Sequence, residues 1–308
     1  MINKKAATIF AVLIMLIAAF STTGCGQRIS IKQNMEKALE KQETAQTYHF
    51  TGKANISIQP VNASGANSPL TETLLQMLST HTLTWAGAYS KPDNHMEVQL
   101  HLPAGNGSST PIDIPLLMKD NNMYIHLPVL NEKDEYMIIP LNNQNTSNSL
   151  VNSGQLLMQT MNALLESVDE NNFSQQKTES DETNYKLTIS EKQQQKIAAD
   201  WSKALPGIIE KYVQAGLLQK DFAQKNSNLK INLTKPGSLQ IIVDPEGWIL
   251  EESMDIQGEL LTGEKKAADF NINYQTNFDK LNQQPEFELA IPTKTKPLTE
   301  IMKFIKER

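Results

Sequence analysis

The sequence predicts an α+β fold in which helices accompany a largely antiparallel β-sheet. The first observation is that apolar and polar residues alternate with a period of two in several segments, as strands with one buried face do. The second is hairpin-like spacing, as in SLQIIVDPEGWIL, where a turn at residues 244–247 separates two such segments. The third is that stretches with a helical apolar stripe interrupt the strands, which gives the order helix, strands, helices, strands.

The N-terminus consists of a short positive cap followed by an apolar run. Lys4 and Lys5 precede residues 6–20, a run of about 15 residues that Thr8 alone interrupts. That length suits the core of a signal peptide and is short for a membrane span, which needs roughly 20 residues. Small residues follow at 21–24, and then comes Cys25, the one cysteine of the chain.

The residues Thr22, Thr23, Gly24 and Cys25 resemble the lipobox of bacterial lipoproteins, with threonine at the position where leucine is usual. The resemblance implies that Cys25 receives a diacylglycerol thioether and that residues 1–24 are a signal peptide cut off before it. Residues 25–30 would then be the lipidated cysteine and a tether, and residues 31–308 the folded domain. Two or more acyl chains give a stable anchor, so the resemblance implies a protein anchored by lipid to the extracytoplasmic face of the cell membrane.

Two other interpretations of this terminus stay open. One is a plain signal peptide with an incidental cysteine, and the other is an uncleaved N-terminal helix. The absence of a second cysteine excludes an intramolecular disulfide and fits a thiol consumed by lipid.

The charge balance argues against nucleic acid as a partner. The chain has a net charge of −6, and removal of residues 1–24 takes away two lysines and makes it more acidic. A basic patch for anionic lipid or nucleic acid is therefore not expected. The hydrophobic fraction of 39% includes the signal segment, so the remainder is polar, as in a sheet with one solvated face.

Four segments are predicted to be helical. A first helix over residues 31–46 places Ile31, Met35, Ala38 and Leu39 on one face. A second covers residues 150–168. A third begins at a Ser190 N-cap and runs to residue 218, with a kink or break at a proline, and a short fourth covers residues 298–305.

Seven segments show the alternation of a strand. They are TYHFTGKANISIQP, HMEVQLHLP, MYIHLPVL, YKLTIS, the two halves of SLQIIVDPEGWIL, which continues into MDIQGEL, and DFNINYQTNF. In each, every second residue is apolar, so that one face of the predicted sheet is apolar and the other is exposed to solvent.

The opening YHFTGKANISI, the helical insert and the closing MDIQGEL…DFNINYQTNFDKLNQQPEFELAIP resemble the LolA- and LppX-like lipoprotein carriers. The resemblance extends over most of residues 31–295 and lies in the layout of elements and in the strand-breaking Ile291 and Pro292, not in an invariant motif. It implies a strongly curved antiparallel sheet, a half-open barrel, with helices packed on its concave face. It also implies that acyl chains are held between the sheet and the helices. No cofactor is expected.

Twelve residues on the predicted apolar faces are candidates to line such a ligand site, and flexible methionine side chains would help it adapt to different chains. They are Phe50, Ile56, Met96, Val98, Met123, Ile125, Leu157, Met161, Leu164, Met254, Ile256 and Ile272. The same residues could instead form a closed core. In that case the protein would be a non-enzymatic envelope module for interaction or sensing.

No constellation of catalytic residues is recognisable, and we expect a protein that is not an enzyme. The sequence has no glycine-rich phosphate loop and no G-x-S-x-G elbow. The five histidines do not show the spacing of a metal site, which needs three or four convergent ligands. Adjacent acidic pairs, including Glu251 and Glu252, are expected to be solvated. The expected partners are the membrane, through the anchor, and a lipid or acyl chain; a protein partner is not specified.

Overall fold

The computed structural model describes residues 30–60, 82–103, 111–128, 130–140, 151–214, 224 and 228–297, and at residues 60 and 151–158 it describes only the backbone. The predicted signal peptide, Cys25 and the predicted helix at 298–305 lie outside this part of the chain. Within the described residues there are three helices, thirteen strands and one short 3₁₀ turn.

The elements are numbered in chain order. They are α1 (Ile31–Glu43), β1 (Thr47–Pro60), β2 (Leu83–Ser90), β3 (His95–Leu102), β4 (Ile112–Lys119), β5 (Asn122–Ile125), β6 (Glu135–Pro140), α2 (Val151–Glu166), the 3₁₀ turn (Glu170–Asn172), β7 (Phe173–Lys177), β8 (Thr183–Ile189), α3 (Gln194–Gln214), β9 (Leu229–Leu233), β10 (Gly237–Val243), β11 (Ile249–Thr262), β12 (Lys265–Asp279) and β13 (Lys294–Pro297).

The strands form one open sheet in the order β13-β6-β5-β4-β3-β2-β1-β12-β11-β10-β8-β7, and β9 pairs with the second half of β11. All pairs are antiparallel except β13 with β6, which is parallel. The predicted α+β class, a curved antiparallel sheet with helices on its concave face, is confirmed. β1, β11 and β12, which are 14, 14 and 15 residues long, form the centre of the sheet.

A pair of glycines lets bulky rings lie flat against the central strands. Gly52 of β1 is opposite Trp85 of β2, and Gly87 of β2 is opposite Phe50 of β1. A Cβ atom at Gly52 would lie 2.3 Å from the Trp85 ring, and one at Gly87 would lie 2.6 Å from the Phe50 ring. Each ring therefore occupies the place of the missing side chain across the strand pair, an arrangement that favours strong local curvature.

The helices cover the half of the sheet formed by β7 to β12. The predicted stripe of α1 buries Met35, Ala38 and Leu39, and Ser30 caps the helix by accepting from the backbone N–H of Gln33 at 3.1 Å. The helix ends at Glu43, earlier than predicted. Residues from all three helices join residues of β7 to β12 in a single buried core, as expected for elements that bury one apolar face each.

The third helix differs from its prediction in two respects. It begins at Gln194 because residues 191–193 form a turn, and Ser190 precedes that turn instead of capping the helix. Pro206 lies inside α3 without splitting it. One turn earlier, the hydroxyl of Ser202 accepts from the N–H of Ile231 at 2.9 Å, which fixes α3 to β9.

The C-terminal segment, residues 280–297, crosses the outer face of the sheet and is termed the strap. It starts beside β1, where the N–H of Asn282 donates to the carbonyl of Thr47 at 2.8 Å. It then passes over β3, and it ends as β13 along β6. The strap therefore joins the centre of the sheet to its far edge across the convex side.

Candidate functional site

The strand register places the apolar residues of all the central strands on the face that contacts the helices, here called the inward face. Ile56 of β1 is opposite Ile272 of β12, which is opposite Ile256 of β11. These three residues therefore form one row across the sheet. Because side chains alternate between faces, the polar residues between them point to the other, outward face.

The inward face continues beyond the helix-covered core onto β2 to β6. One row runs from Phe50 through Gly87, Val98 and Leu116 to Ile125. A second row on these strands joins Tyr89, Met96, Met118 and Met123. Five predicted candidates lie in the two rows: Phe50, Met96, Val98, Met123 and Ile125. The apolar surface is therefore continuous from β11 to β5.

The candidate residues divide into two groups by burial. Val98, Met161, Met254 and Ile256 are buried. Phe50, Ile56, Met96, Met123, Ile125, Leu164 and Ile272 are half-buried. The side chain of Leu157 and the whole of Cys25 lie outside the described part of the structure.

The structure does not gather the candidates into one compact pocket. Met123 and Ile125 lie on β5, and Ile256 lies on β11, six strand positions away. At the usual spacing between strands this is roughly 30 Å along the sheet. The arrangement is an elongated apolar surface, which suits a long flexible hydrocarbon better than a compact ligand.

Several residues of this surface were not predicted, because the strands that carry them were not predicted. β2, β4 and β6 were not predicted, and they contribute Trp85, Ile114, Leu116, Met118 and Met137 to the inward face. The predicted strand MYIHLPVL was too long, since β5 ends at Ile125. Its last expected inward residue, Leu127, follows the strand.

The expectation that the acidic pairs are solvated is wrong for Glu252. It is fully buried, whereas Glu251 beside it is half-buried on the outward face. Glu252 is in phase with the inward residues Met254 and Ile256 of β11, so counting the alternation back from these residues would have found it. Burial raises the pKa of its carboxyl group, and a hydrogen bond from the hydroxyl of Tyr274 opposes that effect.

The outward face contains a concavity beneath the strap. It has a volume of about 180 Å³ and is acidic, with His49, Glu97, Asp279, Glu286 and Glu288 in its lining. The carboxylate of Glu97 accepts the strap N–H groups of residues 288 and 289 at 2.8 and 2.9 Å. The cleft is below the usual size of ligand pockets, and its buried carboxylate holds the strap in place.

The histidines do not converge on a metal site in the described residues, where no group of three or more potential ligands is found. His95 stacks on Phe287 of the strap with ring centroids 3.6 Å apart, and burial lowers its pKa. His101, on the same face, pairs with Asp113 at 2.7 Å. Among the helices that the structure describes, none is both long enough and apolar enough to cross a membrane.

Comparisons with known proteins do not assign the chain to a family. No family model and no curated protein matches it. The solved structures that are similar in part include two that span most of this chain. One is lipovitellin, described for its lipid–protein interactions, with 8% identity and a TM-score of 0.25 over 80% of this chain. The other is a β-barrel-like protein of the DUF1849 family from Brucella abortus, with 6% identity and a TM-score of 0.21 over 78% of this chain. The match spans 26% of the lipovitellin chain and 99% of the other.

Proposed function

We propose that this protein is a lipid-anchored, non-enzymatic protein of the cell envelope that binds an acyl chain or lipid on the inward face of its sheet. The observation that supports the proposal best is the half-buried apolar surface beyond the helix-covered core. Ile56, Met96 and Met123 lie on it, and Phe50 lies at its boundary, where it packs against the core. A hydrocarbon laid over such side chains removes their remaining surface from water, which contributes about 0.8 kcal/mol per buried CH₂ group.

The proposed anchor is the thioether at Cys25. It rests on the sequence of residues 22–25 and on the apolar run before it. Replacement of Cys25 by serine is expected to abolish incorporation of labelled palmitate and to release the protein from membranes. Continued incorporation into the serine variant would refute the anchor.

The proposed binding face is tested by labelling the full chain in its membrane with a photoreactive palmitic acid. A polar residue on the inward face should weaken binding, because an amide there must be desolvated by the hydrocarbon. Ile56→Asn is the test variant, and Ser57→Asn is its control, since Ser57 is the next residue of β1 and faces outward. We expect labelling of β1 and β12 peptides to fall about tenfold in the first variant and to stay unchanged in the second.

Equal labelling of both variants would contradict the proposed site. Absence of labelling on the described strands of the unmodified chain would favour the alternative, an interaction or sensor module with a closed core. The fully buried packing under the helices, where Leu39, Leu165 and Trp201 are at most 1% exposed, is the observation that favours this second function.

A further inference from the structure

Among the described residues of the inward face, one ionisable side chain is buried without a complete set of hydrogen-bond partners. Glu252 lies near the start of β11, opposite Ile241 of β10, and is 0% exposed. Its Oε1 atom accepts a hydrogen bond from the hydroxyl of Tyr274, and its Oε2 atom has no hydrogen-bond partner. A buried polar atom left unpaired costs free energy, and such atoms are rare in native proteins.

The protonation state of this carboxyl group decides what its free oxygen can do. Burial is the main influence on Glu252 and raises its pKa, which favours the neutral form. Since the hydroxyl of Tyr274 donates a hydrogen bond to Oε1, the proton of the neutral carboxyl is best placed on Oε2. The free oxygen is then a hydrogen-bond donor without an acceptor.

Glu252 and Tyr274 lie at the boundary between the closed core and the half-buried apolar surface. Tyr274 of β12 is half-buried, with Met254 opposite it on one side and Ala54 on the other. Its hydroxyl is 3.9 Å from the sulfur of Met161 on α2. Met254 and Met161 belong to the closed core, whereas the next inward residue of β12, Ile272, is half-buried like the surface proposed to bind the acyl chain.

We infer that Glu252 and Tyr274 form the polar end of the acyl-chain site, where the carboxyl group of Glu252 donates a hydrogen bond to a carbonyl oxygen of the ligand, in a carboxyl or an ester group. This inference rests on the proposed function and adds the ligand chemistry to it. Tyr274 positions the carboxyl group, and the ligand oxygen completes the hydrogen bonding of Oε2. The hydrocarbon then extends over the inward face toward β1.

The test compares two photoreactive probes on the full chain in its membrane. One is palmitic acid with a diazirine in the chain, and the other is a hydrocarbon of equal length with the same diazirine and no carboxyl group. Labelling of peptides from β1 and β12 is measured against probe concentration. The ratio of apparent affinities, acid over hydrocarbon, isolates the contribution of the carbonyl oxygen.

Three variants separate a ligand-binding role from a structural one. Glu252→Met removes the donor but keeps a side chain of similar size, and we expect the ratio to fall about three- to tenfold, the effect of one lost hydrogen bond. Glu252→Gln keeps a donor at the same position, and the ratio should return close to that of the unmodified chain. Tyr274→Phe removes only the positioning hydroxyl, and the ratio should fall here too.

An unchanged ratio in Glu252→Met and Tyr274→Phe would overturn the inference while leaving the proposed function intact. Failure of both probes to label the strands of the unmodified chain would overturn both. If Glu252→Met does not accumulate in the membrane, Tyr274→Phe decides the question: a lower ratio supports the inference, and an unchanged ratio overturns it.

Discussion

The buried carboxyl group of Glu252 predicts a specific dependence of stability on pH. Its pKa is raised above the ordinary value of 4.5 in the folded state, whereas the unfolded chain exposes the carboxyl to water. Below about pH 4.5 both states hold the proton, and the group adds no pH dependence. Above that pH the unfolded state loses its proton first, so the free energy of unfolding falls as the pH rises, until the folded pKa is passed.

The size of the effect follows from the release of one proton. While the unfolded state is ionised and the folded state is not, the free energy of unfolding decreases by about 1.4 kcal/mol per pH unit. Glu252→Gln removes this dependence and keeps an acceptor for the hydroxyl of Tyr274. The variant should therefore gain stability relative to the unmodified protein by that slope as the pH is raised from 5.

Urea unfolding of both proteins at intervals between pH 5 and pH 8 measures the difference directly. Other titrating groups are common to both proteins and cancel in the difference. Glu251→Gln is the control, because it removes one negative charge from the neighbouring position of β11 on the outward face. A difference between Glu252→Gln and the unmodified protein that is constant with pH would refute the argument that the carboxyl is buried and neutral.

Two further predictions concern the strap and the glycines. Glu97→Ala should destabilise the fold by about 3 kcal/mol, because two hydrogen bonds to a carboxylate are lost, and it should speed hydrogen exchange in the strap. The control is Gln99→Ala, at an exposed position on the same face of β3, which should do neither. Equal effects of the two variants would contradict the role of Glu97. Gly87→Ala should destabilise by about 1–3 kcal/mol, because its Cβ would lie 2.3 Å from the backbone oxygen of Glu97. Gly207→Ala in α3, where a Cβ meets no atom within 4 Å, should instead stabilise by about 0.5–1 kcal/mol, and thermal unfolding that ranks the two glycine variants the other way would refute this account of the packing.

The sequence predicted the strands whose two faces meet different surroundings. β1, β11 and β12 alternate clearly because their inward residues meet apolar side chains and their outward residues meet water. The rows of the inward face follow from this alternation once the strand pairing is known. Five of the strand-borne candidates lie on these three strands, and their placement on the inward face needed only the period of two.

Two of the missed strands, β2 and β4, have a second covered face. β4 contains Pro115 and has a buried apolar residue on its outer side as well, because Leu117 points outward and is 0% exposed near the strap. In β2 the outward residues Ala88 and Ser90 are also buried. Alternation therefore fails where the strap covers the sheet, and the strap depends on contacts between residues 191 and 192 positions apart, which no local pattern reveals.

A hydrocarbon chain that lies along the inward face of the sheet would contact the residues of one face of each strand. Tandem mass spectrometry of the full chain, labelled in its membrane with photoreactive palmitic acid, gives the site of insertion residue by residue. We predict insertion at the even-numbered residues of β1, such as Ile56 and Ile58, and at Ile272 of β12. Insertion confined to the odd-numbered, outward residues of β1, or to peptides away from the sheet, would contradict this placement of the hydrocarbon.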